Sequence, residues 1–277
     1  MTKEHKPLSD IIDASTLIQL RQNNQPLSLF DCRSKLGEPA WGPAAFSAGH
    51  IEGAQFLSLD EDLADPPNED GRHPLPTRDR WLATVRSKGV GQAHQIVLYD
   101  DAGGAYAARA WWMFRWLGHE AVAVVDGGLQ AWPQPLQTEV SLAPAPSDYQ
   151  AHASLTRMIT TAELQSLADS HTLIDARTQA RYNGDEEPID PVAGHIPGAV
   201  CYPFAANLGA SGHFLDPQQL RARFSDVGEA AICYCGSGVT ACHNILAMHI
   251  AGLPEPRLYA PSWSGWITDA ARPVGTA

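Results

Sequence analysis

Short apolar runs recur along the chain, each closed by a polar or glycine-rich stretch. In the first half, Leu27–Asp31, Ile96–Tyr99 and Ala121–Val125 have the length and character of buried strands, and helical stretches are predicted at Thr77–Lys88 and Ala105–Leu117. The second half repeats the alternation. Strands are predicted at Leu173–Asp175, Ala231–Tyr234 and Leu258–Tyr259, around helices at Asp216–Phe224 and Val239–Ala251. Apolar strands alternating with helices predict an α/β fold, with a mainly parallel sheet in each half and helices on both faces.

The halves also share words. Leu29-Phe30-Asp31-Cys32-Arg33 is echoed by Leu173-Ile174-Asp175-Ala176-Arg177, and Ala48-Gly49-His50-Ile51 by Ala193-Gly194-His195-Ile196. Ile96–Asp100 is echoed by Ala231–Cys235, and Gly128–Trp132 by Ser262–Trp266. The four pairs keep their order at offsets of 144, 145, 135 and 134. Chance does not produce that, so the chain is a tandem duplication. Its 277 residues suit two domains. Their expected limits are 1–132 and 155–277, joined by a Pro-, Ala- and Ser-rich linker over 133–154 that crosses the surface.

Composition narrows the classes. With 44% apolar residues the chain can fill two cores, and a net charge of −12 argues against nucleic acid or an anionic membrane surface as partner. A local positive pocket for a small anion remains compatible with that balance. The apolar runs fall far short of the ~20 residues of a membrane span. The opening MTKEHKPLSD has no apolar signal core, so a cytoplasmic protein is expected. Five cysteines, an odd number without a secretion signal, are expected to be reduced thiols. Cys233 and Cys235 stand as Cys-x-Cys, but no second pair lies at zinc spacing, so neither a metal nor another cofactor is expected.

Candidate chemistry concentrates at Cys235. It ends the predicted strand Ala231–Tyr234 and is followed by Gly236-Ser237-Gly238 and a helix. A strand, a tight glycine turn and a helix N-terminus direct backbone amides at one spot. A sulfur anion there would gain from those donors and from the helix dipole. The pattern alone fits equally a plain buried cysteine before an ordinary turn.

Cys235-Gly236-Ser237-Gly238-Val239-Thr240-Ala241 resembles the active loop of the 3-mercaptopyruvate sulfurtransferases, relatives of rhodanese. The Gly-His-Ile-Pro-Gly-Ala run and the closing Ser-Trp-Ser-Gly-Trp resemble that family's domain signatures, and the likeness spans roughly residues 8 to 275. The resemblance implies two rhodanese domains with the site in the second, at their interface. It also implies that Cys235 takes sulfur from an anionic donor as a persulfide. A thiophilic acceptor then removes it: thioredoxin, a low-molecular-weight thiol or cyanide. Gly236, Gly238, Val239 and Thr240 would line the donor with Arg181, whose planar guanidinium can hold a carboxylate or thiosulfate unless it serves only a surface ion pair.

In the first half the place of Cys235 is taken by Asp100. An aspartate cannot carry sulfur, so that half is expected to be catalytically silent, its loop Asp101–Ala105 not shaped to cradle a sulfur anion. The resemblance gives it a share of the cleft all the same, through Asp60 and His73. With Ser237 these would form a relay that polarises the donor or protonates its leaving group. His73 on its own reads equally as an exposed loop histidine. The repeated Arg33 and Arg177, His50 and His195, and Trp132 and Trp266 read as structural.

One position departs from the family. Mercaptopyruvate-type members usually carry a second arginine nine residues beyond the first, and here that place is Asp190. An acid facing the site would repel a carboxylate, unless its Pro-flanked segment turns outward. The uncharged Gly236 and Ser237 point to 3-mercaptopyruvate rather than thiosulfate as donor, because thiosulfate-type members place an Arg and a Lys there. Among rivals, a cysteine phosphatase needs Cys-x5-Arg, and residue 241 is Ala241. A thiol protease lacks its Cys–His–Asn signature. A persulfide carrier without turnover would need a docking feature that the sequence does not display.

Overall fold

The computed structural model describes residue 8 and residues 10–139, 144–167 and 171–277. Most of the N-terminal stretch weighed above for a signal, and residues 140–143 of the expected linker, lie outside the described residues. The chain divides into two units. Residues 1–62 and 77–155 form the first, and residues 63–76 join residues 156–277 in the second.

The first unit is built on a parallel sheet of β1 (Ile11–Ile12), β2 (Leu27–Asp31), β3 (Gln55–Phe56), β4 (Gln95–Tyr99) and β5 (Val122–Val125), in the order β1-β5-β4-β2-β3. Its helices are α1 (Ala14–Gln22), α2 (Trp41–Ala48), α3 (Arg78–Ser87) and α4 (Ala107–Trp116). Strand alternation sends Leu29, Val97, Tyr99, Ala123 and Val125 to one face, where they meet Leu17 and Leu20 of α1 and Phe46 of α2. Phe30 points the other way and stacks on Phe114 of α4, centroids 5.7 Å apart, and Phe114 in turn meets Trp81 of α3 edge-on. Both faces are therefore covered, which is why β4 is buried at every position. Local chemistry sets helix starts: Asp13 accepts the Thr16 amide at 2.6 Å, and Thr77 accepts that of Arg80.

The second unit repeats the plan with β6 (Thr172–Asp175), β7 (Ala199–Cys201), β8 (Ala231–Tyr234) and β9 (Arg257–Leu258), all parallel, in the order β7-β6-β8-β9. Its helices are α5 (Thr161–Ser166), α6 (Gln179–Asn183), α7 (Pro217–Arg223), α8 (Ala241–Ile250) and α9 (Ser262–Trp266). α5 and α9 bury Leu164, Trp263 and Trp266 against Ile232 and Tyr234, while α8 packs on β8 and against α7. An Asp216 capping box with Pro217 in the first turn fixes the start of α7.

The repeated residues do the same structural work in each unit. Arg33 clamps Asp31 through Nε and Nη2 and donates to the Gly49 carbonyl at 2.7 Å. Arg177 does so with Asp175 and Gly194, also at 2.7 Å. His50 and His195 each hydrogen-bond a carbonyl through Nδ1 at 2.8 Å and stack on the ring of the same residue, Phe46 or Tyr182. The described part of the 133–154 stretch is less free than a surface linker. Tyr149 is buried, its carbonyl accepts Arg86 Nε, and its hydroxyl meets His119, so this stretch packs as part of the first unit.

The loop after β4 is filled by an anion of its own: the Asp100 carboxylate accepts the amides of Ala102, Gly104, Tyr106 and Ala107 at 2.8–2.9 Å. Buried amides of this kind must be paired. Asp100→Ala should therefore cost on the order of 3 kcal/mol in chemical denaturation, with Asp100→Asn losing about half of that. A loss under about 1 kcal/mol would mean that water replaces the carboxylate without penalty.

Candidate active site

Cys235 follows β8 and leads through Gly236–Thr240 into α8, a frame closely like that of Asp100. Gly238 is left-handed at φ +76°, like Gly103 at φ +66°. A Cβ on Gly238 would stand 2.4 Å from the Ala260 carbonyl, so only glycine closes this turn. By position, the amides of Ser237, Val239 and Ala241 are the counterparts of those of Ala102, Gly104 and Tyr106. Thr240 is the N-cap residue of α8, and its side chain makes no capping bond.

The closing Ser-Trp-Ser-Gly-Trp run does more than fill the core. Ser262 Oγ accepts the Cys235 amide at 3.1 Å and donates to the Tyr259 carbonyl. The Trp263 and Ser264 amides donate to the carbonyls of Cys235 and Gly236, both at 2.9 Å. Ser262 sits at φ +56°, where the first unit has Gly128 at φ +58°. A serine there costs about 1 kcal/mol or more in backbone strain. Its hydroxyl offsets that by fixing the amide of the candidate nucleophile, a role that residue spacing did not reveal.

His73 and Ser237 come together. His73 Nδ1 lies 2.7 Å from Ser237 Oγ, and both residues are buried, so His73 is not an exposed loop histidine. His73 belongs in space to the second unit and not to the first, despite its place in the first half of the sequence. Its segment is docked by the Arg72 amide on Ser264 Oγ at 3.1 Å and by Thr268 Oγ1 on the Glu69 carbonyl. Asp60 is exposed in a turn of the first unit.

Arg181 lies in α6 beside the loop, inside a network of buried charges. Its Nε and Nη2 donate to Glu187, and Nη2 also reaches Asp190 at 3.0 Å. Glu187 further pairs with Arg177 at 3.2 Å. Asp190 does not turn outward: its side chain is only 2% exposed and is ion-paired with Arg181 and with Arg72. Burial raises the Asp190 carboxyl above its usual value, opposed by Arg72 and Arg181 and reinforced by Glu187. Burial acts the same way on Glu187, but the hydrogen bonds from Arg181 and from the amides of Asp190 and Ile189 outweigh it, leaving its pKa lowered. Arg72, which pairs with Asp190 beside this loop, was not singled out from the sequence.

Cys32, Cys201 and Cys233 are poor rivals for Cys235. Burial pushes the Cys201 thiol up to about 12, with Asp175 adding to the effect, and raises Cys32 and Cys233 as well. Such thiols stay protonated near neutral pH, and the thiolate is the nucleophile.

Comparison with known proteins identifies the family. The rhodanese-like domain model matches residues 13–134 and 160–269. A Pseudomonas aeruginosa protein named probable 3-mercaptopyruvate sulfurtransferase is 46% identical over 268 residues, covering 92% of this chain and 94% of its own. A Mycobacterium tuberculosis protein, provisionally named thiosulfate sulfurtransferase SseB, is 39% identical over 276 residues, 96% of each chain. The crystal structure of SseA from Escherichia coli, a 3-mercaptopyruvate sulfotransferase, superposes with a TM-score of 0.78 at 29% identity, covering 93% of this chain and 100% of that one.

The strained serine can be tested without an activity assay. Ser262→Gly should leave stability within about 1 kcal/mol of the parent, because strain relief and the lost hydrogen bond offset each other. Hydrogen exchange at the Cys235 amide should accelerate about tenfold as the loop loosens. Unchanged protection at that amide would show that Ser262 does not hold the loop.

Proposed function

The chain belongs to the rhodanese family and is a sulfurtransferase, and from that premise we propose that it moves sulfane sulfur from 3-mercaptopyruvate to a thiophilic acceptor through a persulfide on Cys235. The observation that supports this most is the pair of equivalent loops. One wraps a carboxylate in four amides, and the other carries a cysteine at the same place. Loop amides aimed at an anion suit a thiolate and a persulfide alike.

The Cys235 thiolate attacks the donor sulfur, and the bond between that sulfur and C3 breaks. Its electron pair passes into the enolate of pyruvate, which takes up the proton carried by the donor thiol. Cys235 then holds the outer sulfur as a persulfide anion. An acceptor thiolate or cyanide attacks that outer sulfur, forms the new sulfur bond, and releases the Cys235 thiolate. Ser237, hydrogen-bonded to His73, would polarise the donor carbonyl as charge moves onto it. The family resemblance assigns Asp60 to the same relay. Gly236, Gly238, Val239 and Thr240 supply the wall of the loop, and Arg181 an anchor for the donor carboxylate.

Charge balance favours the monoanionic donor. Arg72 and Arg181 face the carboxylates of Asp190 and Glu187, so this group of four is neutral overall. A single carboxylate can share such guanidinium groups, whereas a dianion such as thiosulfate gains most from uncompensated cations. 3-Mercaptopyruvate should exceed thiosulfate in kcat/KM by at least about tenfold, or roughly 1.4 kcal/mol.

Cys235→Ser should abolish transfer with every donor, while Cys32→Ser and Cys201→Ser leave it nearly intact. Donor treatment without acceptor should add one sulfur to the intact mass, mapped to the Cys235 peptide. Stable sulfur on Cys233 would contradict the assignment. His73→Gln and Ser237→Ala should lower kcat by about a hundredfold, and Asp60→Asn should lower it in the same direction. A single equivalent of sulfur delivered without further turnover would mark a carrier rather than an enzyme cycle.

A further inference from the structure

We infer that Arg72 is a second donor-binding residue and that Asp190, rather than repelling the donor, positions the guanidinium groups of Arg72 and Arg181; this deepens the persulfide reading and rests on it. The geometry converges on Gly236, the residue after Cys235. Arg72 spends Nη1 on Asp190 Oδ1, and its Nη2 lies 2.9 Å from the point where a Cβ on Gly236 would stand. Arg181 spends Nε and Nη2 on Glu187 and Asp190; its Nη1 and Nη2 lie 3.4 and 3.5 Å from the same point, and of these Nη1 is the one not engaged by a carboxylate. Each guanidinium thus gives one edge to a carboxylate and turns its remaining terminal nitrogen toward the space that glycine leaves open beside the nucleophile.

That convergence is built into the fold. The Arg72 amide is tied to Ser264 Oγ, and the Ser264 amide is tied to the Gly236 carbonyl, so Ser264 links the backbone bearing Arg72 to the loop. The Nε of Arg72 is buried without a hydrogen-bond partner among the described residues. An arginine with no task here would avoid that cost by swinging into water. Asp190 sits between the two guanidinium groups with both of its oxygens engaged. Two arginines this close repel one another, and a buried carboxylate between them is what holds their spacing. A carboxylate donor would then receive two fixed N–H donors, from Arg72 Nη2 and Arg181 Nη1, next to the attacked sulfur.

Steady-state kinetics test this with 3-mercaptopyruvate and its methyl ester, which keeps the sulfur but lacks the carboxylate charge. Arg72→Gln should raise KM for 3-mercaptopyruvate by about tenfold with kcat within about threefold, and should leave KM for the ester unchanged. Arg72→Lys, which keeps the charge but not the second donor edge, should fall between the two. Asp190→Asn should also raise KM for the acid, by about threefold or more, because the guanidinium groups lose their spacer. The exchange Arg72→Asp with Asp190→Arg should recover most of the loss. KM unchanged in Arg72→Gln, a rise shared equally by the ester, or a fall in KM for Asp190→Asn would overturn the inference. Intact mass separates the two levels. Absence of added sulfur on Cys235 in the parent protein would remove the persulfide reading itself. Added sulfur in both proteins with equal KM would remove only the role of Arg72.

Discussion

Backbone amides gathered at the end of a central strand need an anion, and the rest of the structure is arranged around who supplies it. In the first unit Asp100 does, taking four amides on its two oxygens. In the second unit the equivalent place is Cys235, whose side chain offers no permanent charge of that reach. The loop that stabilises one half by filling itself is, in the other, the site we propose for a sulfur anion. Gly238, the left-handed Ser262 and the hydrogen bonds from residues 263 and 264 hold that loop in shape.

Duplication makes the division between structure and chemistry visible. Residues kept in both halves, such as Asp31 with Arg33 and Asp175 with Arg177, tie strand ends to the following turns in the same way. Three of the positions that differ between the halves lie in the loop or against it: Asp100 against Cys235, Ala102 against Ser237, Gly128 against Ser262. The acidic chain, with net charge −12, still presents guanidinium nitrogens there, because two buried carboxylates orient the arginines locally. Overall charge therefore says little about the sign of the ligand.

The long apolar elements were legible in the sequence. Leu27–Asp31 and Ala231–Tyr234 coincide with β2 and β8, and the predicted helices differ by one or two residues, at capping positions such as Thr77 and Asp216. The two-residue strands β1 and β3, and short helices such as α6, were not legible, since neighbours rather than local pattern define them. At the site, the strand, glycine turn and helix made Cys235 a candidate, and only the resemblance of its loop to a known family separated it from a plain buried cysteine. Arg72 escaped notice because Pro66–Pro76 reads as a polar loop, and only its packing within the second unit brings it to Gly236. Asp190 was misjudged for the opposite reason. Flanking prolines suggested an exposed turn, but two guanidinium groups make burial of the carboxylate favourable.

The central claim is that the Cys235 loop holds an outer sulfur as the Asp100 loop holds its carboxylate. A crystal structure of the protein after 3-mercaptopyruvate treatment, without acceptor, tests it directly. The outer sulfur should sit on Cys235 within hydrogen-bonding reach of the Ser237 and Val239 amides, the counterparts of Ala102 and Gly104. An outer sulfur turned away from those amides, or bound to a different residue, would contradict the account.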